Sequence, residues 1–416
     1  MEGLVRAWIG HKIIQKEIVS QPHLILVPEL FNKCFDRVIR IAICGEYNGK
    51  YDISPLRNRL VMFVKPLTWS LVIATYKREH ILPRCLKLAA KQTRIPKEIV
   101  VVDASPGWEK TREIMIQEFT DHYPLIPLIY VKATFPSLTT QRNQGIDLAS
   151  GDILFLIDDD SLMYPDCAEE VMKIYEADVD NTIQGISAMS DPNPPDASDF
   201  IDKQAVQEGM IAVKPKQTKL RQFFKSLLAT DQTYFLPYDE DYPDRPIPEH
   251  LHNLNIGRIQ VMAGYTMTFR KAILMKERFS EVLQRYAAGE DQDLSYRVSR
   301  HGALVNAINA RLCHLEISGG RLSQFQVMVL AALNPSVLQQ FYSPNPALVN
   351  RRWRQILWRR VLIYFLKDLS QKNFHFSRTR GLLYAFSQLK QIYKRTPDEL
   401  LQWYPEFQAK FIASGS

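Results

Sequence analysis

No uninterrupted apolar run reaches the roughly 18 residues that a membrane-crossing helix needs, so no such span is expected. Residues 1–19, MEGLVRAWIGHKIIQKEIV, place Glu2 early and break each apolar stretch with polar residues, which argues against a secretory leader. Cysteine is sparse: Cys34, Cys44, Cys85, Cys167 and Cys313 are odd in number, scattered and without C-x-x-C spacing. That pattern speaks against a disulfide framework or structural zinc and for a reducing compartment. The expected location is cytoplasmic, with any membrane contact peripheral, at the inner face. Glycine is missing from ATYKREH, where a nucleotidyl-transfer enzyme would carry a phosphate-cradling loop. No recognisable nucleic-acid-binding motif accompanies the positive charge, so no nucleic-acid partner is expected.

What is present describes a folded chain. At 416 residues it can bury a full core, and 46% hydrophobic with 23% charged residues is a globular balance that leaves little room for extensive disorder. The net charge of +7 favours an anionic partner, which could be a nucleotide, a membrane surface or nucleic acid. Residues 1–65 hold short apolar runs and an Asn48-Gly49 pair able to form a hairpin turn. They read as an N-terminal extension to which no role is assigned. Residues 66–320 read as the main domain and 321–416 as a helical, basic and aromatic C-terminal extension.

From Trp69 the texture becomes regular. WSLVIATYKREHILPRCLKLAAKQ runs from a buried-strand pattern through a polar loop into a helix with Leu82 and Leu86 on one side. KEIVVVDAS with WEKTREIMIQEF, then LIPLIYVKA with TTQRNQGIDLAS, repeat the unit, and GDILFLIDDD supplies a fourth strand. Such alternation predicts an α/β fold with a mainly parallel central sheet covered by helices. Ligands of these sheets bind at the carboxyl ends of the strands. Polar residues gather there: Thr75, Lys77 and Arg78, then Asp103, then Asp158, Asp159 and Asp160. Residues 190–260 are rich in proline and charge, as a lid would be, before QVMAGYTMTFRKAIL restores a strand and a helix.

Three adjacent carboxylates repel one another unless a cation or a set of donors offsets them. In extended backbone Asp158 and Asp160 point one way and Asp159 the other. Two carboxylates on one side form a hard oxygen site suited to Mg2+ or Mn2+ bridging phosphate oxygens. The plainer alternative makes Asp160 a cap for the helix in PDCAEEVMKIY.

Taken in order, LVIATYKR, EIVVVDAS, TTQRNQGIDLASGDILFLIDDD, AGYTMTFRKA, AGEDQDLSYRVSRHG and CHLEISGG resemble the inverting glycosyltransferases of family two. The resemblance covers roughly residues 68–320. It implies the GT-A, or nucleotide-diphospho-sugar transferase, fold. It also implies transfer from a nucleotide-sugar donor, UDP-sugar favoured, to a hydroxyl of a saccharide or lipid-linked acceptor. The setting would be polysaccharide or glycoconjugate synthesis, with Mn2+ or Mg2+ as cofactor. On the same basis Asp103 would accept a hydrogen bond from the nucleobase, with Thr75, Arg78 and Arg142 lining the nucleotide pocket. Asp160 would be the metal ligand, Asp158 would lie nearest the ribose and metal-bound diphosphate, and Asp159 would line the site. His314 would complete the metal site. Asp291 would be the general base that inverting transfer needs, with Glu290 in reserve and Asp293 structural or in contact with acceptor.

Each residue also has a plainer reading. Asp103 could be a turn acid before SPG, Arg142 a helix-end ion pair and His314 a packed side chain. Glu290, Asp291 and Asp293 open a helix, where the macrodipole favours acids. Residues 351–380 are dense in arginine and aromatics, with Trp353, Ile356, Leu357 and Val361 near one helical face. That face could lie on an anionic membrane or pack on the catalytic domain. A binding or scaffold protein that holds a nucleotide sugar without catalysis is the rival function; intact acids at both expected sites count against it.

Overall fold

The computed structural model describes residues 66–195, 235–239, 241–317, 322–372 and 374–414. The expected N-terminal extension with its Asn48-Gly49 turn, and residues 196–234 of the expected lid, lie outside the described residues.

Strands β1 (Trp69–Thr75), β2 (Glu98–Asp103) and β4 (Ile153–Asp158) are buried almost end to end. Their apolar runs do not alternate because helices cover both faces of a parallel sheet. β3 (Leu128–Lys132) lies at the edge and is only partly buried. The connections run through α1 (Leu82–Ala90), α2 (Trp108–His122) and α3 (Leu138–Leu148). α3 sits close on the sheet at Gly145, where a Cβ would overlap Val72 Cγ1. Only glycine fits that approach.

β1 lies between β2 and β4, so the crevice at their carboxyl ends falls where the strand order reverses. The register is informative: Thr75 aligns with Asp103, and Ala74 with Asp158. The residues read as strand-end ligands therefore stand level along one rim.

Beyond β4 the sheet is mixed. β5 (Ser161–Met163), α4 (Cys167–Ala177) and β6 (Ile183–Ser190) follow in sequence, then β7 (Ile256–Ile259), β8 (Met267–Arg270), the short α5 (Lys271–Leu274), α6 (Glu290–Ser299) and β9 (Ala303–His314). The full order is β3-β2-β1-β4-β8-β6-β9-β5, with β7 also paired to β9. β8 runs antiparallel to both β4 and β6, whereas β9 runs parallel to β6. The long β9 pairs antiparallel with β5 so that Ser161 faces His314. That pairing carries His314 to the triplet, more than 150 positions away in the chain.

The C-terminal region is helical: α7 (Gln324–Tyr342), α8 (Pro346–Ser370), α9 (Ser377–Tyr393) and α10 (Pro397–Ala413). A second apolar core joins them to Phe235, Tyr238 and Tyr296. The α8 face identified from sequence turns inward: Trp353, Ile356 and Leu357 are buried, and Trp353 Nε1 donates to the Ala332 carbonyl at 3.0 Å. Cys85, Cys167 and Cys313 are buried, and none forms a disulfide among the described residues.

Candidate active site

Asp158 ends β4, and Asp159 and Asp160 form the turn into β5 rather than the extended run expected; the side chains nevertheless divide. Asp158 and Asp160 face His314, with carboxylate oxygens 3.8 and 3.1 Å from its Nε2. Asp159 turns toward β1, where the Thr75 hydroxyl donates to it at 2.7 Å. Burial pushes the Asp159 carboxyl up to about 7, against the pull of the Thr75 bond. Asp160 is equally buried, but its His314 contact and the Ile317 backbone N–H at 3.0 Å outweigh desolvation and hold it below the usual carboxylate range. His314 is raised in turn: burial opposes its charge, and the Asp160 bond prevails.

Asp160 is not a helix cap. α4 begins after Asp166, whose side chain makes no capping bond, and β5 separates the triplet from it.

A ligand oxygen from each of Asp158 and Asp160 and a ring nitrogen of His314 lie within 4.8 Å of one another. Two hard oxygens and an imidazole form a donor set that suits Mn2+ or Mg2+. Tyr265 stacks on the His314 ring, centroids 4.3 Å apart and planes 18° from parallel, and so fixes its orientation.

The second acid cluster stands across a single guanidinium. Arg142, 2% exposed, reaches Glu290 through Nη1 at 3.0 Å and Asp158 through Nη2 at 3.0 Å. Nη2 also donates to the Gly264 carbonyl at 2.8 Å. The residue expected to line a nucleotide pocket is thus bound to both acid clusters at once.

α6 starts after Gly289, whose φ of 90° favours glycine and turns the chain so that Glu290 and Asp291 open the helix. Glu290 is buried, and desolvation with the neighbouring Asp291 charge pushes it up to about 8, against Arg142. Asp291 is half-buried; its carboxylate accepts from the Gln292 N–H at 2.8 Å and the Gly264 N–H at 3.1 Å. Burial raises it too, the backbone bonds and Arg142 opposing. Asp293 is fully buried and accepts from Tyr238 and Arg297, each at 2.7 Å. Those bonds make it structural.

Asp103 ends β2 almost fully buried, accepting from the Tyr130 hydroxyl at 2.6 Å and the Ser105 N–H at 2.7 Å. The second bond is the turn contact of the plainer reading. Arg78 donates from Nη2 to the Ile317 carbonyl at 3.1 Å, while its buried Nη1 has no partner among the described residues. Sequence reasoning passed over Gly264, Tyr265 and Gln141. Gln141 binds the carbonyls of Thr75 and Val102, each at 2.9 Å, and ties the ends of β1 and β2 to α3. QVMAGYTMTFRKAIL reads as a strand before a helix; nothing local tells which side chains Gly264 and Tyr265 meet.

Residues 70–234 match the model for glycosyl transferase family 2. Those matched residues form a family 2 glycosyltransferase domain, and that family has the GT-A fold. The chain is 23% identical over 253 residues to a hyaluronan synthase of Pasteurella multocida, across 61% of this chain and 25% of that protein. Over 109 residues, 26% of this chain and 38% of the relative, the identity to the uncharacterized glycosyltransferase YwdF of Bacillus subtilis (strain 168) is 32%. The chain thus spans well under half the length of these relatives. Among solved structures, mannosyltransferase PcManGT from Pyrobaculum calidifontis, in complex with GDP-Man and Mn2+, aligns with TM-score 0.44 and 13% identity, over 80% of this chain and 92% of that one. S. aureus TarS 1–349 aligns with TM-score 0.43 and 16% identity, over 84% and 89%.

Proposed function

We propose that the family 2 domain transfers a sugar from a nucleotide-diphosphate donor, UDP-sugar favoured, to an acceptor hydroxyl with inversion, using Mn2+ or Mg2+. The observation that carries this reading is Arg142, whose guanidinium binds Asp158, one of the candidate metal ligands, and Glu290, the neighbour of Asp291, and so sets the two acid clusters side by side. A site with metal ligands on one side and a carboxylate base on the other serves a single displacement at an anomeric carbon. No covalent intermediate is required.

Asp158, Asp160 and His314 would hold the metal, which when bound supplies positive charge to a leaving diphosphate. Asp103, with lone pairs beyond its two present bonds, accepts from the nucleobase. Thr75 fixes Asp159 along the same rim. Arg78 offers its free Nη1 to a phosphate oxygen. Asp291 takes the acceptor proton, because it is the more accessible of the pair while Glu290 is engaged by Arg142. The acceptor is a saccharide or lipid-linked glycan, and the likeness to a hyaluronan synthase supports a polysaccharide or glycoconjugate product.

Calorimetric titration of nucleoside diphosphates and their sugars, with and without manganese, tests the proposal. One nucleotide should bind in a manganese-dependent manner to wild type and lose that dependence in Asp160→Asn, which keeps the shape of the buried side chain. Equal binding by both proteins, or none by either, would sink it.

A further inference from the structure

Helix α8 has a second apolar face. Trp358, Leu362, Phe365, Leu366 and Leu369 are 57, 54, 41, 43 and 42% exposed. Steps of four, three, one and three residues set them in one stripe along the helix, turned away from buried Trp353, Ile356 and Leu357. Phe374, 71% exposed, follows shortly after the helix end. Beside it on α9, Phe386 packs on Trp358 with ring centroids 4.7 Å apart, and Leu383, one turn before Phe386, is 45% exposed. Exposed apolar patches of this continuity mark interaction surfaces.

The charge around the stripe narrows the partner. Residues 346–380 contain nine arginines and lysines against one acid, Asp368. That acid is buried and accepts from Arg378 and Thr379. This stretch accounts for the whole excess of positive charge, since the chain's total is only +7. Helical spacing puts Arg351, Arg354 and Arg359 on or beside the stripe, toward its N-terminal end. A second copy of this chain would bring the same positive field against itself. A surface with fixed negative charge and an apolar layer beneath it fits both halves: rings and leucines enter the acyl boundary while arginines meet headgroups.

We infer that the outer face of α8 docks the protein on an anionic lipid membrane. This inference does not depend on the proposed transfer reaction. The full chain is to be sedimented with vesicles of phosphatidylcholine alone or mixed with phosphatidylglycerol. Recovery should be roughly tenfold or more higher with the anionic vesicles and fall steeply with added salt. It should be lost in the variant combining Trp358→Ser, Leu362→Ser and Phe365→Ser, which gives up the Trp358–Phe386 and Phe365–Phe376 ring contacts but leaves the buried Trp353, Ile356 and Leu357 face that holds α8 in the fold. Should that variant misfold, Trp358 itself reports: anionic vesicles should shift tryptophan emission to the blue in wild type and not in Trp358→Phe. Equal recovery with both vesicle types, no recovery with either, or recovery undiminished in the folded variant would overturn the inference. So would a loss of oligomeric mass in that variant, which would assign the face to contact between protein copies.

Discussion

Glu290 and Asp291 are adjacent, both raised by burial, and differently engaged. Glu290 spends its carboxylate on Arg142, whereas Asp291 is held by two backbone N–H groups and is the more open of the two. A general base acts only when deprotonated, so the transfer rate should rise with pH through the titration of Asp291. Desolvation keeps the proton on longer and places that limb above the ordinary aspartate range. Asp291→Asn should lower kcat by roughly 10²–10⁴-fold. Glu290→Gln should retain the acid limb and much of the rate, because a glutamine can still meet Arg142 and the proton acceptor is untouched. A pH–rate profile of both variants decides the assignment: if the limb survives Asp291→Asn and vanishes in Glu290→Gln, Glu290 is the base.

At the scale of elements, α6 is held from behind by the C-terminal helices. Asn334, fully buried in α7, donates to the Ala288 carbonyl at 2.9 Å, two residues before Glu290, and accepts from the Tyr404 hydroxyl of α10 at 2.6 Å. Gln408 of α10 accepts from the Gln284 N–H at 3.0 Å in the same approach to α6. Asn334→Ala leaves a buried carbonyl and hydroxyl without partners and should cost about 1–3 kcal/mol in urea unfolding. Because the lost bond fixes the turn that delivers Asp291, kcat should fall while manganese-dependent nucleotide affinity stays. Loss of stability with kcat intact would show that this support does not set the base. The reach of sequence reading is also visible here. The four strands β1–β4 and their helices were legible because buried strands and amphipathic helices differ in period, and Thr75, Asp103 and the triplet were legible as polar residues at strand ends. The approach of β5 to β9 was not, because a three-residue strand has no measurable period and its partner is 150 residues away. α8 was half legible: Trp353, Ile356 and Leu357 stood out as a face, but with Trp358, Leu362 and Phe365 forming another, spacing alone could not say which one the fold would bury.

For the whole molecule, the sheet concentrates carboxylates that the chain keeps far apart. The end of β4 and the turn after it deliver Asp158, Asp159 and Asp160, α6 delivers Glu290 and Asp291, and against them stand Arg142, Arg78 and the His314 imidazole. Raised carboxyls at Asp159, Glu290 and Asp291 are first the trace of their burial, to which neighbouring acids add at Asp159 and Glu290, and each proton retained in the folded state is a charge the fold resists. A divalent ion held by Asp158, Asp160 and His314 would offset the repulsion and would bind the folded chain alone, because the unfolded chain does not bring these groups together. Mass action then sets the scale: at about 100 times Kd the gain is about 2.7 kcal/mol, or several degrees in Tm. Mn2+ should therefore raise the thermal transition of the wild-type chain, excess EDTA should reverse the rise, and His314→Ala or Asp160→Asn should abolish it. A Mn2+-induced rise of equal size in those variants would place the ion elsewhere, and the carboxylate crowding would then have to be balanced by Arg142 and Arg78 alone.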